Sequence, residues 1–393
     1  MNNDYLLDFK NLSDELMLII NLIKNENNNN NNKYDISSER LKKIKWDHFI
    51  ELCMHHRIYP NLSSVIFANP TIFPNKVRRI IENNYKSNTL LMLRYCAEMR
   101  DISKLFISNN LKVLFLKGPF LAKDLYGDIS YRTSSDIDIL VDIKNLQEAK
   151  ELLISNGYLQ TENFPTILND WKWRHHHINF QHEEKKIKIE VHWRLNPGPA
   201  KEPDFLHLWS SKRKSEVLDY PIYCLGREHL FMFLLSHGAR HGWSRLRWLL
   251  DIEKIMKQNI DWENLLRLLK EYQYLHLLGK VLILLNQTLN TPIPDKCKFL
   301  LTRDSFELSK KTLFYFENIV NLHSPPLSEE VNKYHSSYLF SIKTLKHKIY
   351  FLISCLFPYP KDKELIVLPS RLDLLYIPLR PVTWVIRKRR KIV

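Results

Sequence analysis

The stretch Arg132-Thr133-Ser134-Ser135-Asp136-Ile137-Asp138-Ile139-Leu140-Val141 decides how this chain is read. Ile137 to Val141 is a short run of β-forming apolar residues broken by one carboxylate, the pattern of a buried strand. Side chains alternate along a strand, so Asp136 and Asp138 face one way, about 7 Å apart, while Ile137 and Ile139 enter the core. Two carboxylates on one face can share divalent cations. Hard oxygen ligands suit Mg²⁺ or Mn²⁺, ions that bridge carboxylates to nucleotide phosphates.

Outward from this stretch the pattern stays mixed. Val113 to Leu116 reads as an earlier strand, and Lys186 to Trp193 as a later one in which Ile187, Ile189 and Val191 share a face. Glu190 lies on the opposite face of that third strand, a third carboxylate turned away from the core. Leu116-Lys117-Gly118-Pro119 joins a strand end to a helix reaching Tyr126, with Pro119 at its first position. Free N–H groups at such a helix start, with Lys117 beside them, suit a phosphate. A helical stripe of Leu146, Ala149, Leu152 and Leu153 stops at Gly157, which completes an α-β-α-β-α-β unit.

The flanks read as helical. Apolar residues from Leu6 to Ile23 recur at helical spacing and run into six consecutive asparagines, Asn27 to Asn32, expected to form a flexible loop. Residues 38–110 look wholly helical, the last helix opening near Ser87 and stopping at Asn109-Asn110. Beyond Asp204 the helical period returns and holds to about Asn321. The division expected is a helical region at 1–87 with the Asn-rich loop at 25–32, a core at 88–200, a helical domain at 201–324 and a basic extension at 325–393.

Composition narrows the chemistry. Eight glycines in 393 residues leave no G-x-G-x-x-G and no G-x-x-x-x-G-K-[ST], so a nucleotide is held by neither a Rossmann turn nor a P-loop. A net charge of +15 favours polyanionic partners. Cys53, Cys96, Cys224, Cys297 and Cys355 are widely spaced and form no C-x-x-C, so neither a disulfide framework nor a thiolate zinc site is suggested and a cytoplasmic setting is expected. Met1 to Lys10 lacks the pattern of a secretory signal, and the apolar run Ile349 to Phe357 is too short to span a bilayer.

These motifs, in this order, resemble the nucleotidyltransferase superfamily of DNA polymerase β type. From about Trp46 to Leu289 the chain is similar to the bacterial uncharacterised nucleotidyltransferases, the likeness extending to Glu190-Val-His192-Trp193 and His237-Gly-Ala-Arg240-His241, then Leu246-Arg-Trp248-Leu-Leu-Asp251. The resemblance implies an α+β protein: a minimal nucleotidyltransferase α/β core with a small mixed sheet, flanked by helical regions. It implies an NMP moved from an NTP, ATP among the candidates, to an acceptor hydroxyl with release of pyrophosphate. Asp136, Asp138 and Glu190 correspond to the catalytic carboxylates that hold Mg²⁺ or Mn²⁺, and Lys117, Gly118, Arg132 and Ser134 to nucleotide-contacting positions. Two departures stand out. Pro119, where relatives commonly carry Ser or Gly, offers neither hydroxyl nor N–H, and the third carboxylate is Glu rather than Asp.

Other residues carry weaker signals. His192, His237, Arg240 and His241 are candidates for the acceptor side, the acceptor being a small molecule, a peptide or protein, or RNA. Between Glu190 and His192, Glu190 is the better candidate base. His175, His176, His177 and His182 fall in an expected loop, solvated rather than metal-bound, although a basic, aromatic-rich lip near the active site could help hold substrate. Arg387 to Lys391, five consecutive basic residues, could touch an anionic membrane or nucleic acid. Two rival functions fit the same residues: a non-catalytic module of this fold that binds nucleic acid or a membrane surface, and a metal-dependent phosphohydrolase.

Overall fold

In the computed structural model, which describes residues 6–27, 38–215, 217–322 and 326–389, the three expected strands form the middle of a seven-stranded mixed sheet. The strands are β1 (Leu114–Phe115), β2 (Ile137–Leu140), β3 (Leu159–Gln160), β4 (His177–His182), β5 (Ile187–His192), β6 (Arg213–Ser215) and β7 (Ile222–Cys224). Their order across the sheet is β3-β4-β5-β2-β1-β7-β6. β2 runs antiparallel to β1 and parallel to β5, and Ile137 stands beside Ile189, Asp138 beside Glu190 and Ile139 beside Val191. The four isoleucine and valine side chains of that register are fully buried, which fixes it against a one-residue slip.

Helices α1 (Asp14–Asn27), α2 (Ser38–Lys43), α3 (Trp46–His55), α4 (Tyr59–Ala68) and α5 (Asn75–Ser108) precede the sheet. α6 (Pro119–Tyr126), α7 (Leu146–Ser155), α8 (Trp171–Arg174) and α9 (Phe205–Ser210) connect its strands. α10 (Arg227–Arg240), α11 (Leu246–Met256), α12 (Trp262–Glu271), α13 (Leu275–Leu289) and α14 (Arg303–Glu317) follow it. α15 (Glu329–Ser341), α16 (Leu345–Leu356), α17 (Pro360–Leu365) and α18 (Tyr376–Arg389) end the chain. One continuous apolar core joins α1 to the sheet and to α10–α14, so the helices on both sides are part of the same packing unit. No helix among the described residues is long and apolar enough to cross a membrane.

Several expectations are corrected. The first helix opens at Asp14, where Asp14 and Glu15 complement the helix dipole, and not at Leu6. The last helix before the sheet opens at Asn75, not near Ser87: α5 runs 34 residues because neither Gly nor Pro interrupts it. The helical stretch beyond Asp204 is broken by β6 and β7, a short antiparallel pair at the sheet edge. The histidine loop before the third strand is strand β4, paired antiparallel with β5 from His177–His192 to His182–Ile187. Its Ile178 and Phe180 are buried on one face, which the run of histidines around them obscured. Asn28 to Asn32 and the last two of the five basic tail residues lie outside the described residues.

Candidate active site

The sheet brings the three carboxylates together. Asp138 sits opposite Glu190 in the parallel β2–β5 pair, and Asp136 precedes β2 on the same side. Asp136 and Glu190 line a cavity of about 450 Å³, and Asp138 lies beneath its wall, fully buried. Ser134 Oγ donates to the Asp136 carbonyl at 2.9 Å and Ser135 Oγ to Asp136 Oδ2 at 3.1 Å, so the turn into β2 aims the first carboxylate.

Lys117 enters from the end of β1, its Nζ 3.0 Å from Asp138 Oδ1. Gly118 follows at φ +109°, a conformation that L side chains rarely adopt, and caps α6 with Pro119 at its first position. Gly118 therefore shapes the turn and does not line the cavity. His192 Nε2 lies 3.2 Å from Asp138 Oδ1 and 3.6 Å from Glu190 Oε2. Lys188 Nζ donates to Glu190 Oε1 at 2.7 Å, and His177 Nε2 is 3.8 Å from Glu190 Oε2.

The charges shift one another. Burial and the neighbouring Asp138 push Asp136 up to about 6. Burial also opposes ionisation of Asp138, but Lys117 and the hydrogen bond with His192 outweigh it and hold that carboxyl below its usual range. Glu190 is likewise held low, since His192 and His177 overcome its burial. For His192, burial is outweighed by the carboxylates it touches, so its pKa is raised. Burial drives His176 and His237 the other way, and His177 down to about 4.

Around the carboxylates the cavity is strongly basic. Arg57, Lys117, Arg132, Lys188, Arg240, Arg245 and Arg247 all line the cavity. Seven cations face two lining carboxylates and the buried Asp138. Burial lowers Arg240 and Arg245 to about 10, and Nε of both Arg240 and Arg247 is buried without a hydrogen-bond partner. Such a cavity is suited to a polyanion. His237, Arg240 and His241 come from the C-terminal end of α10, and the His241 ring stacks on Trp248 with centroids 5.1 Å apart.

Arg132 is differently engaged from what its motif suggests. Its Nε and Nη2 donate to Asp251 at 3.0 Å each, with both side chains buried. Lining the cavity, it also locks the loop before β2 to α11. The sequence reading placed His176 and His177 in a loop that could help hold substrate, and missed Asn179, Lys188, Arg57 and Arg245 as cavity residues. Alternation within β4 carried the signal for His177 and Asn179, and alternation within β5 carried it for Lys188, which shares a face with Glu190. Arg57 and Arg245 come from separated segments and have no local signature.

The site also fits a divalent cation. Ligand atoms of Asp138, Glu190 and His192 lie within 4.8 Å of one another, and Asp138 Oδ2 is buried without a hydrogen-bond partner. An uncompensated carboxylate oxygen is costly to bury and is suited to a cation.

The model of the uncharacterised nucleotidyltransferase family matches residues 42–290, from the end of α2 through α13. The chain belongs to this family. The matched span of the nucleotidyltransferase holds every residue of the cavity, and α14 to α18 lie beyond it. No curated protein matches the chain.

Proposed function

We propose that this nucleotidyltransferase moves a nucleoside monophosphate from an NTP to an acceptor hydroxyl, releasing pyrophosphate, and that it does so with Mg²⁺ or Mn²⁺. The observation that carries this reading is the pairing of Asp138 with Glu190 at a cavity lined by seven cationic side chains. Asp136, Asp138 and Glu190 would hold the metal, which when bound neutralises phosphate charge and acidifies a nearby hydroxyl.

The protein's own groups supply the rest. Arg240, Arg245 and Arg247 bind the triphosphate, and the burial of Arg245 and Arg247 keeps water from screening them. Lys117 reaches the same cavity from the end of β1 and, released from Asp138, follows the charge that builds on the departing pyrophosphate. A bond forms between the acceptor oxygen and the α-phosphorus as the bond from that phosphorus to the pyrophosphate oxygen breaks. The hydroxyl proton passes to a Glu190 carboxylate oxygen. Glu190 is a relay, since the cations around it make it a weak base, and the proton leaves to solvent. His192, hydrogen-bonded to Asp138, orients the carboxylates and is not the base.

Binding of ATP, GTP, CTP and UTP with Mg²⁺ or Mn²⁺, followed by thermal unfolding, tests this without an acceptor. Nucleotide at a hundred times its dissociation constant adds about 2.7 kcal/mol of stability. A metal-dependent rise, abolished in Asp136→Ala/Asp138→Ala, is expected. A folded protein that none of the four nucleotides stabilises would overturn the reading.

A further inference from the structure

Beside the carboxylates lies a histidine cluster of which the transfer reading uses only His192, to orient them. His176, His177 and His192 each place one ring nitrogen within 4.8 Å of the others. His177 Nδ1 and His176 Nε2 are 3.1 Å apart, close to the edge of a metal's coordination shell for two imidazoles at about 2.0–2.1 Å. His192 Nε2 is engaged by Asp138, while its Nδ1 is buried without a hydrogen-bond partner. A carboxylate that holds one ring nitrogen fixes the tautomer and orientation of the ring, as the outer partners of a ligating histidine commonly do.

We infer that His176, His177 and His192 bind one transition-metal ion of the Zn²⁺, Co²⁺ or Ni²⁺ class. Imidazole donors select these ions over Mg²⁺, which prefers oxygen. Three protein nitrogens with a fourth position left to Glu190 or solvent match the donor count of an open zinc site. Asp136 takes no part in it, so the site stands whether or not the transfer reading does.

Titration with Co²⁺, followed by visible absorption on the full chain, tests it. The unmodified protein should take up one equivalent with d–d bands of imidazole ligation. His176→Ala and His177→Ala should each lower affinity at least tenfold, and Asp136→Asn should retain the bands. Bands unchanged in both histidine variants, or displaced by millimolar Mg²⁺, would overturn the inference. Should either variant unfold, the unmodified chain serves: Zn²⁺ should protect His176 and His177 from diethyl pyrocarbonate, and equal labelling with and without Zn²⁺ would equally overturn it. Because nucleotide stabilisation is read separately, failure here is distinct from failure of the transfer reading.

A different part of the molecule carries a second inference. Leu345, Ile349, Leu352, Ile353 and Leu356 recur at helical spacing on α16 and are 47–76% exposed. Near them α18, which packs on α16, exposes Val382, Trp384 and Val385. From Lys343 to Lys391 there are twelve Lys or Arg against three Asp or Glu, so this segment holds most of the chain's excess positive charge. Lys346, Lys361, Arg371 and Arg389 are exposed. Exposed aliphatic residues among basic ones match the interface of an anionic bilayer, whereas nucleic acid offers nothing to bury the aliphatic face. We infer that α16 to α18 dock the enzyme on an anionic lipid surface.

Sedimentation with vesicles of phosphatidylcholine, with and without phosphatidylglycerol, tests the docking. Binding at least tenfold tighter to the anionic vesicles, weakened by salt and by Ile349→Glu/Ile353→Glu, is expected. Equal binding by that variant would overturn it, as would a dimer of the unmodified chain that the variant converts to monomer, which would assign the face to a second copy.

Discussion

Arg132 and Asp251, brought together from the loop before β2 and from α11, form a two-pronged ion pair with side chains 2% and 1% exposed. Tyr126 OH donates to the same carboxylate at 2.8 Å, so one buried anion ties α6, the β2 loop and α11 together. Removing one partner leaves the other charge buried. Asp251→Leu is expected to cost about 3–5 kcal/mol in urea unfolding, and Arg132→Met/Asp251→Leu distinctly less. A single variant within about 0.5 kcal/mol of the parent would mean that Arg132 finds its partner in the cavity and not in Asp251.

The sequence made the centre of the site legible because strand alternation is a local signal. Ile137, Ile139, Ile189 and Val191 alternate with Asp138 and Glu190, and Pro119 marks a helix start, so three carboxylates and Lys117 could be placed on one face. β4 was hidden because its outward positions are His, Asn and Gln, polar residues that read as a loop. Part of the basic lining was hidden for another reason. Arg57 and Arg245 lie on segments whose approach depends on tertiary packing, and no periodicity in one segment reports on another.

His229 gives the stability of the fold a pH dependence. Burial, with the nearby His207, lowers its pKa to about 4, and its Nδ1 meets Ser211 Oγ at 3.0 Å. The folded pKa lies below the unfolded value, so the neutral ring's contribution is full above pH 6.5 and is lost as pH falls toward 4. After allowance for solvent screening, the loss is about 2 kcal/mol. His229→Leu should lack this component, so its deficit relative to the parent narrows across that window in urea unfolding at stepped pH. A deficit constant from pH 7 to pH 4 would show that His229 does not titrate there.

Gly238 separates helix propensity from packing. A Cβ at this position would stand 2.3 Å from the ring of Trp243, which is fully buried. Propensity alone predicts that Gly238→Ala stabilises α10 by about 1 kcal/mol. Overpacking predicts a loss of about 1–3 kcal/mol. The loss is expected to win, because Trp243 has no exposed side toward which to move. Displacement of α10 should also weaken nucleotide binding, since His237 and Arg240 flank the glycine. A raised melting temperature with unchanged binding would show that the ring yields.

In the proposed reaction Lys117 stands where nucleotide and metal would compete. Its ammonium, 3.0 Å from Asp138 Oδ1, stabilises the very carboxylate that would receive a divalent cation. The two positive charges repel, so binding of the metal must loosen the Lys117–Asp138 contact and free the ammonium for phosphate. Lys117→Met should therefore move two affinities in opposite directions. Mn²⁺ alone, measured by calorimetry, is expected to bind several-fold tighter than to the parent protein, because a competitor for Asp138 is gone. NTP with saturating Mn²⁺ is expected to bind about tenfold more weakly, the loss of one charge-assisted contact of about 1.4 kcal/mol. If both affinities fall together, Lys117 supports the geometry of the site and does not pass from carboxylate to phosphate.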